Sequence, residues 1–427
     1  MKVFFTTFGC KVNQYETQEI SELLISDGYS ITKIPEEADI IIINSCTVTS
    51  EGVRKVRQTV RKLKKTNPDA IILFTGCASQ AEPQIIEDLP EIDILMGNRN
   101  NTEILSVINT YLENPKFLNA HKKHLRDDCF SGTGITRFDE HTRAFLKIQD
   151  GCDRYCSYCL IPYARGFSRS KSLEDIDKEL NALNENNYKE VVFVGINLSD
   201  YGKNTPYSLP DALALAEKYD NIKRVRLGSL EPDHITKEMI ERLSKIKKLC
   251  PQFHISLQSG SDSVLKKMNR HYTSEDYEEL TKNLRSVFED PTITTDILTG
   301  FPTETEEEFL ETVNFAKKIK FEKAHIFPYS LREGTKAASL PQLPKTIKEE
   351  RVKILTEITN QTRKEYLIKT VGKTVNVLFE TDKSDFSEGY TENYTPIRIY
   401  DEKKRSTKIL SVLITEAKED YCIGKEI

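Results

Sequence analysis

Short apolar runs recur along the chain up to about residue 330, and stretches with helical spacing of apolar residues separate them. Near the N-terminus these runs are Lys2 to Thr7, Asp39 to Ile43 and Ala70 to Thr75. Strands that are apolar throughout and alternate with helices pack as a parallel sheet with both faces covered. We therefore predict a small doubly wound, flavodoxin-like α/β domain for residues 1–112.

The same alternation resumes in residues 138–368. The candidate strands there span residues 144–149, 191–195, 224–227, 253–257, 293–298 and 324–327. Six successive strand–helix units fit an open, partial (β/α)6 barrel, since a full barrel would need two more.

Two further segments complete the predicted organisation. Residues 113–137 are polar, which is typical of an exposed linker. Residues 369–427 contain strand-like runs at 374–379, 395–399 and 411–415, separated by polar turns. A segment of this length and pattern predicts a small five-stranded β-barrel, a shape that RNA-binding modules use.

Composition argues against a secreted or membrane protein. The chain has nine cysteines, an odd number, and its N-terminus lacks a signal-peptide pattern, so a disulfide framework is not expected. No apolar run reaches the roughly 18–20 residues of a membrane helix. We expect a cytoplasmic protein whose clustered thiols are metal ligands or catalytic groups. Its net charge of −5 gives no sign of a nucleic-acid partner, so RNA binding would depend on local basic patches.

Three cysteines far apart in sequence occupy equivalent positions. Cys10, Cys46 and Cys77, which we call the first cysteine set, each follow the end of a predicted strand. The carboxyl ends of parallel strands meet at one edge of a sheet, so three thiolates are expected to converge there. Three cysteines suit a [4Fe–4S] cluster with one open iron, whereas structural zinc usually has four protein ligands. The alternative is three independently buried thiols.

The second cysteine set, Cys152, Cys156 and Cys159, forms the motif C-x₃-C-x₂-C after the first predicted barrel strand. Active sites of barrel enzymes lie at that face. One short loop can bind three irons of a [4Fe–4S] cluster and leave the fourth for S-adenosylmethionine. One electron then cleaves the sulfonium to methionine and a 5′-deoxyadenosyl radical. A zinc loop is the alternative, but His141 precedes the strand and is poorly placed as a fourth ligand.

Five residues at the same face are candidates for binding S-adenosylmethionine. Tyr158 is expected beside its adenine, and backbone groups near Gly195 beside its amino group. Glu231, Gln258 and Asp296 are candidates for its ribose or amino group. The alternative for Tyr158 is plain packing at the barrel mouth, and for the other four it is a loop cap or a turn.

Four residues are candidates for RNA contacts. Arg165 and Arg169 flank the second cysteine set, where they could bind phosphates. Tyr390 and Tyr394 in the β-rich tail could stack on bases, and the alternative is that they form barrel core.

With two cysteine sets and a β-rich tail, essentially the whole chain resembles the radical S-adenosylmethionine methylthiotransferases. The segments Gly9 to Thr17, Ile161 to Gly166 and Gly389 to Tyr394 are similar to the branch that acts on N6-threonylcarbamoyladenosine in tRNA. The resemblance implies an N-terminal methylthiotransferase domain, a central radical domain and a C-terminal TRAM domain.

The resemblance also implies the reaction, which is the addition of a methylthio group to C2 of N6-threonylcarbamoyladenosine at position 37 of tRNA. The first cysteine set would hold an auxiliary [4Fe–4S] cluster that supplies or carries sulfur, and the second set the radical cluster. One S-adenosylmethionine would donate a methyl group, and another would yield the radical that abstracts hydrogen from C2. The implied partners are tRNA, an electron donor such as flavodoxin or ferredoxin, and a sulfur source.

Two other functions remain open from the sequence. An enzyme of the same class could modify isopentenyladenosine in tRNA or an aspartate of a ribosomal protein. A protein of another class could bind RNA without catalysis and use zinc to stabilise its fold.

Overall fold

The computed structural model of the chain describes residues 1–47, 50–139 and 141–427. Its β-structure follows chain order as a parallel sheet, an open arc of parallel strands and a small closed barrel. In the described ranges, no helix has both the length and the apolar character needed to cross a membrane.

Six parallel strands form the N-terminal sheet in the order β2-β1-β3-β4-β5-β6. They are β1 (Lys2–Thr7), β2 (Ser30–Ile31), β3 (Ile40–Ser45), β4 (Ile71–Gly76), β5 (Ile94–Leu95) and β6 (Leu118–Asn119). The helices are α1 (Lys11–Ser26), α2 (Ser50–Thr66), α3 (Cys77–Ala81) and α4 (Ile104–Glu113). Apolar residues of α1 and α4 cover one face of the sheet and those of α2 cover the other. This order is that of flavodoxin-like folds, so the predicted class is confirmed.

Most residues of the segment 113–137 are exposed, but some of its residues contact the rest of the fold. Leu118–Asn119 forms the edge strand β6. The side chain of His124 is buried, and its Nε2 lies 3.0 Å from Oδ1 of Asn98. Arg99 and Asp128 form an ion pair at 2.7 Å. Some polar groups of this segment therefore make hydrogen bonds and ion pairs within the fold. Composition alone does not show which polar residues do so and which face solvent.

The open arc contains six parallel strand positions, as predicted, in the order β7-β10-β11/β12-β13-β14-β15. The strands of this region are β7 (Arg143–Lys147), β8 (Gln149–Asp150), β9 (Arg169–Ser170), β10 (Glu190–Val194), β11 (Arg224–Leu227), β12 (Ser229–Leu230), β13 (Gln252–Ile255), β14 (Thr292–Thr299) and β15 (Lys323–Pro328). The helices are α5 (Ile161–Arg165), α6 (Leu173–Glu185), α7 (Leu209–Ala214), α8 (Lys237–Leu243), α9 (Asp262–Lys267), α10 (Ser274–Val287), α11 (Glu306–Ile319) and α12 (Lys345–Thr370). Apolar residues between the arc and its helices form the largest core.

The C-terminal residues form a closed five-stranded barrel, which confirms the prediction for this region. Its strands are β16 (Thr374–Asp382), β17 (Ser387–Thr391), β18 (Pro396–Ile399), β19 (Ile409–Ala417) and β20 (Cys422–Glu426). The turn between β17 and β18 lies at the amino ends of the arc strands. There, Arg226 donates to the carbonyl of Glu392 at 2.8 Å, and Thr292 donates to the carbonyl of Asn393 at 2.8 Å. The small barrel therefore covers the amino end of the arc, opposite the second cysteine set.

Candidate active site

The first cysteine set lies at one edge of the N-terminal sheet. Cys10 precedes α1, Cys46 follows β3 directly, and Cys77 is the first residue of α3 after β4. Because β1, β3 and β4 are neighbours, the three residues come together as the sequence predicts. Asn13 links two of them, since its Oδ1 lies 3.4 Å from Sγ of Cys10 and its Nδ2 lies 3.9 Å from Sγ of Cys77.

Close backbone approach holds the loops of this set together. Gly9 has φ of +121°, and a Cβ built there would lie 3.1 Å from Cβ of Cys46 and 2.4 Å from Oδ1 of Asn13. Gly76 has φ of +101°, and a Cβ there would lie 2.4 Å from the amide nitrogen of Ser45. Both positions therefore require glycine for conformation and for space.

Cys77 has an arginine beside its thiol. Its side chain is buried, and Nε of Arg165 donates to its Sγ at 3.1 Å. Burial raises the pKa of Cys77 to about 12, while the charge of Arg165 acts in the opposite direction. Arg165 is thus placed to favour the thiolate, which is the form that binds metal.

Arg165 belongs to a buried network between the N-terminal sheet and the arc. Its Nη2 donates to Oε2 of Glu16 at 3.0 Å. Lys147 lies 2.8 Å from Glu16 and 2.7 Å from Asp150. Burial would raise the pKa of Glu16, but Arg165 and Lys147 hold it below its usual value. Because Arg165 is fully buried, it offers no surface to an RNA phosphate here, and its expected role is corrected to one inside the protein.

The second cysteine set lies in the loop that follows β8. Cys156 is buried, and Cys152 and Cys159 are half-buried. Burial, with a smaller contribution from the nearby Cys156, raises the pKa of Cys159 to about 12. Gly151 bends the loop with φ of +76°, where a Cβ would lie 1.9 Å from the carbonyl oxygen of Phe167.

Among the described residues, no three His, Cys, Asp or Glu side chains are gathered as ligands of a single metal ion. A [4Fe–4S] cluster makes a different demand, because each thiolate binds a different iron. Three thiols at adjoining strand ends, and three on one short loop, can each bind a different iron of such a cluster.

The candidates for S-adenosylmethionine binding divide into two groups. Glu231 lies near the second cysteine set, because Arg270 Nη1 is 3.2 Å from its Oε1 and 3.4 Å from Sγ of Cys156. Tyr158 is half-buried against an apolar cluster that includes Phe301 and Tyr329.

The other three candidates lie further along the arc. A Cβ at Gly195 would lie 2.9 Å from the side chain of Gln149, so the backbone is tightly packed there. Gln258 has φ of +64°, and its backbone N–H donates to the carbonyl of Asp296 at 2.9 Å. The carboxylate of Asp296 lies 3.2 Å from Nε2 of His254. Their contacts with S-adenosylmethionine stay predictions.

Sequence reasoning missed two residues at this site. Asn197 is buried, and neither polar atom of its side chain has a hydrogen-bond partner among the described residues. Its position at a strand end was a usable signal. Arg270 gave no signal, because its contacts with Glu231 and Cys156 are long-range. The unsatisfied amide of Asn197 fits a polar ligand, since buried polar groups are normally hydrogen-bonded.

A cavity of about 790 Å³ lies between the inner face of the arc, the start of α1 and the C-terminal barrel. We call it the lumen cavity, and its lining includes Lys11, Arg226, His254, Asp296, His325 and Phe327. Lys11 is an exposed residue that directly follows Cys10.

The two tyrosines of the C-terminal barrel also line the lumen cavity. Tyr390 and Tyr394 stack with ring centroids 4.6 Å apart, and Arg143 lies over both rings at 5.3 and 5.0 Å. Arg169 lies elsewhere, where its Nη2 is 3.4 Å from Asp150. Base stacking by the tyrosines and phosphate binding by Arg169 stay predictions.

Known proteins resemble this chain over nearly its whole length. Residues 146–316 match the radical SAM superfamily, and residues 2–97 match the uncharacterized protein family UPF0004. Threonylcarbamoyladenosine tRNA methylthiotransferase MtaB of Aquifex aeolicus is 39% identical over 97% of this chain and 100% of its own length. The protein of the same name from Bacillus subtilis is 37% identical over 99% of this chain and 96% of its own length.

A solved structure shares the fold of the chain. The radical S-adenosylmethionine methyltransferase TsrM of Kitasatospora setae, with cobalamin and a [4Fe–4S] cluster bound, superposes with a TM-score of 0.60. The match covers 79% of this chain and 77% of that one at 14% identity, so it shows the fold alone. Taken with the near full-length relatives, the two cysteine sets and the open arc establish that the chain is a radical S-adenosylmethionine enzyme and belongs to the threonylcarbamoyladenosine tRNA methylthiotransferase family.

Proposed function

We propose that this protein methylthiolates C2 of N6-threonylcarbamoyladenosine at position 37 of tRNA. The observation that carries the proposal is the hydrogen bond between two adjoining folds that each hold one cysteine set: Arg165, six positions after Cys159, donates to Sγ of Cys77. A carbon–hydrogen bond of an aromatic base has no proton acidic enough for ordinary acid–base catalysis. A site that combines a radical source with a second set of thiols could break this carbon–hydrogen bond and supply the sulfur that replaces the hydrogen.

As a radical S-adenosylmethionine enzyme of this family, the chain uses S-adenosylmethionine and [4Fe–4S] clusters. We assign Cys152, Cys156 and Cys159 to the radical cluster, and the first cysteine set to the auxiliary cluster. When bound, these groups supply one-electron cleavage of S-adenosylmethionine and a site for the transferred sulfur.

The protein's own residues bind and orient the reactants. We assign the carboxylate of Glu231, fixed by Arg270, and the unpartnered amide of Asn197 to the polar groups of S-adenosylmethionine. Arg165 stabilises the thiolate of Cys77 from the arc side. We place the enzyme in the cytoplasm, with an electron donor such as flavodoxin or ferredoxin and a separate sulfur source.

The first test is metal analysis of the full chain after anaerobic purification. Wild type is expected to hold about eight irons with matching sulfide, and Cys10→Ala and Cys152→Ala about four each. Zinc without sulfide would favour the non-catalytic RNA-binding protein instead.

The second test identifies the nucleoside. In tRNA from a strain that lacks the gene, mass analysis is expected to show loss of the 2-methylthio form of N6-threonylcarbamoyladenosine. Loss of the methylthio form of isopentenyladenosine would assign the rival substrate. An unchanged nucleoside profile would contradict a tRNA substrate altogether.

A further inference from the structure

The lumen cavity has the shape and lining of a nucleoside site. Its volume of about 790 Å³ is within the range of pockets that enclose small ligands. Strands β13, β14 and β15 turn alternate side chains toward it, and these are Gln252, His254, Thr294, Asp296, His325 and Phe327. Amide, hydroxyl and carboxylate groups of this kind can bond to the edges of a base.

One wall of the lumen cavity offers a stacking surface. His325 and Phe327 lie on the same face of β15, with ring centroids 6.4 Å apart and planes inclined by 27°. Phe327 is a large apolar side chain, and it is half exposed on the last strand of the arc. Aromatic side chains of this kind stack on unpaired bases in RNA-binding proteins.

The opposite wall has a cation with no acidic partner. Arg143 pairs with Glu380 at 2.6 Å, and Arg226 pairs with Glu190 at 2.9 Å. Lys11 has no carboxylate within ion-pair distance in the described part of the chain. Its ammonium group lies 5.9 Å from the ring centroid of Phe145 and keeps accessible surface, which faces the lumen cavity. The lumen cavity can therefore take up one negative charge at Lys11.

The nucleoside that we propose as the substrate carries such a negative charge. The threonylcarbamoyl group ends in a carboxylate, whereas adenosine and isopentenyladenosine have no anionic group on the base. A carboxylate that leaves water needs a cation or several donors to offset its desolvation. Lys11 also follows Cys10 directly, so the chain connects the lining of the lumen cavity to the first cysteine set.

We propose that Lys11 binds the carboxylate of the threonylcarbamoyl group and so distinguishes this nucleoside from uncharged adenosines. The inference rests on the proposed function and deepens it, because it assigns the substrate preference to one side chain. The lumen cavity then holds the base between Lys11 and the His325–Phe327 wall.

Binding of anticodon stem-loop RNAs to the anaerobically purified full-length protein tests this proposal. The RNAs are identical except for threonylcarbamoyladenosine or adenosine at position 37, and fluorescence anisotropy gives each Kd. Wild type is expected to bind the threonylcarbamoyl RNA about tenfold more tightly. Lys11→Met is expected to remove that preference, and Lys11→Arg to keep most of it. Lys323→Met is the matched control, because it removes a second cation of the lumen cavity that has no described ion pair and should leave the preference intact.

Each other outcome overturns the assignment. Equal weakening of both RNAs by Lys11→Met would mean that Lys11 binds a backbone phosphate. Loss of the preference in Lys323→Met alone would show that Lys323, on the β15 side of the lumen cavity, binds the carboxylate instead of Lys11. Equal binding of both RNAs by wild type would contradict the proposal that Lys11 recognises the carboxylate. The proposed function is tested separately by the nucleoside analysis. Iron content and melting temperature of Lys11→Met confirm that it is folded, and Lys11→Gln replaces it if it is not.

Discussion

Replacing Arg165 by methionine should destabilise the docking of the N-terminal sheet on the arc by about 3–5 kcal/mol, the usual cost of removing one partner from a buried ion pair. The guanidinium is fully buried and contacts both Glu16 and the thiol of Cys77. Methionine fills much of the same volume but leaves Glu16 only Lys147, which also pairs with Asp150, as a cation among the described residues. Most of the expected loss therefore comes from uncompensated charge rather than from a cavity.

Urea unfolding of the iron-free protein measures this loss as a shift of the transition that separates the sheet from the arc. Arg137→Met is the matched control, because Arg137 pairs with Asp139 at 3.2 Å with about half of each side chain exposed. That variant should change stability by less than about 0.5 kcal/mol. A loss below about 1 kcal/mol for Arg165→Met would refute the reasoning, since it would show that Glu16 finds other compensation.

Three further substitutions test separate parts of the site. Gly151→Ala should lower iron content by about half, because its Cβ would lie 1.9 Å from a carbonyl oxygen and must displace the second cysteine loop, and full iron content would contradict this. Asn197→Leu should raise the Kd for S-adenosylmethionine about tenfold in equilibrium dialysis while iron content stays constant, and an unchanged Kd would remove Asn197 from the site. Burial raises the pKa of Glu19 from 4.5 to about 7, so its contribution to stability is complete below about pH 4.5 and is lost as pH rises through 7. Glu19→Gln should therefore gain up to about 3 kcal/mol over wild type between pH 5 and pH 8, whereas melting temperatures with equal pH profiles would show that this carboxyl does not titrate as described.

The architecture could be predicted from the sequence because it depends on local patterns. Apolar strands and helical spacing specify a parallel sheet, and in such a sheet all carboxyl ends meet at one edge. From that rule the sequence predicts that Cys10, Cys46 and Cys77 lie close together, although they span 67 positions. The prediction holds because each cysteine does follow the end of a strand.

The contacts that complete the site could not be predicted, because they join side chains on different elements. Arg165 and Cys77 are 88 positions apart, and Arg270 and Glu231 are 39 apart. Nothing local in the sequence distinguishes a buried arginine from an exposed one, so the sequence alone predicts an RNA contact for Arg165. The position of Lys11 in the lining of the lumen cavity, without an ion pair among the described residues, likewise emerges only from the folded chain.

The bond between Arg165 and Cys77 also bears on the order of events during synthesis. The N-terminal sheet leaves the ribosome first, and domains generally fold as units in that order. Its three thiols can therefore meet before Arg165 has been translated. We expect the thiol of Cys77 to lack this hydrogen bond from Arg165 until the first part of the arc docks on the nascent sheet. Assembly of a cluster on the first cysteine set would then be complete only after both the N-terminal sheet and the first part of the arc have been synthesised.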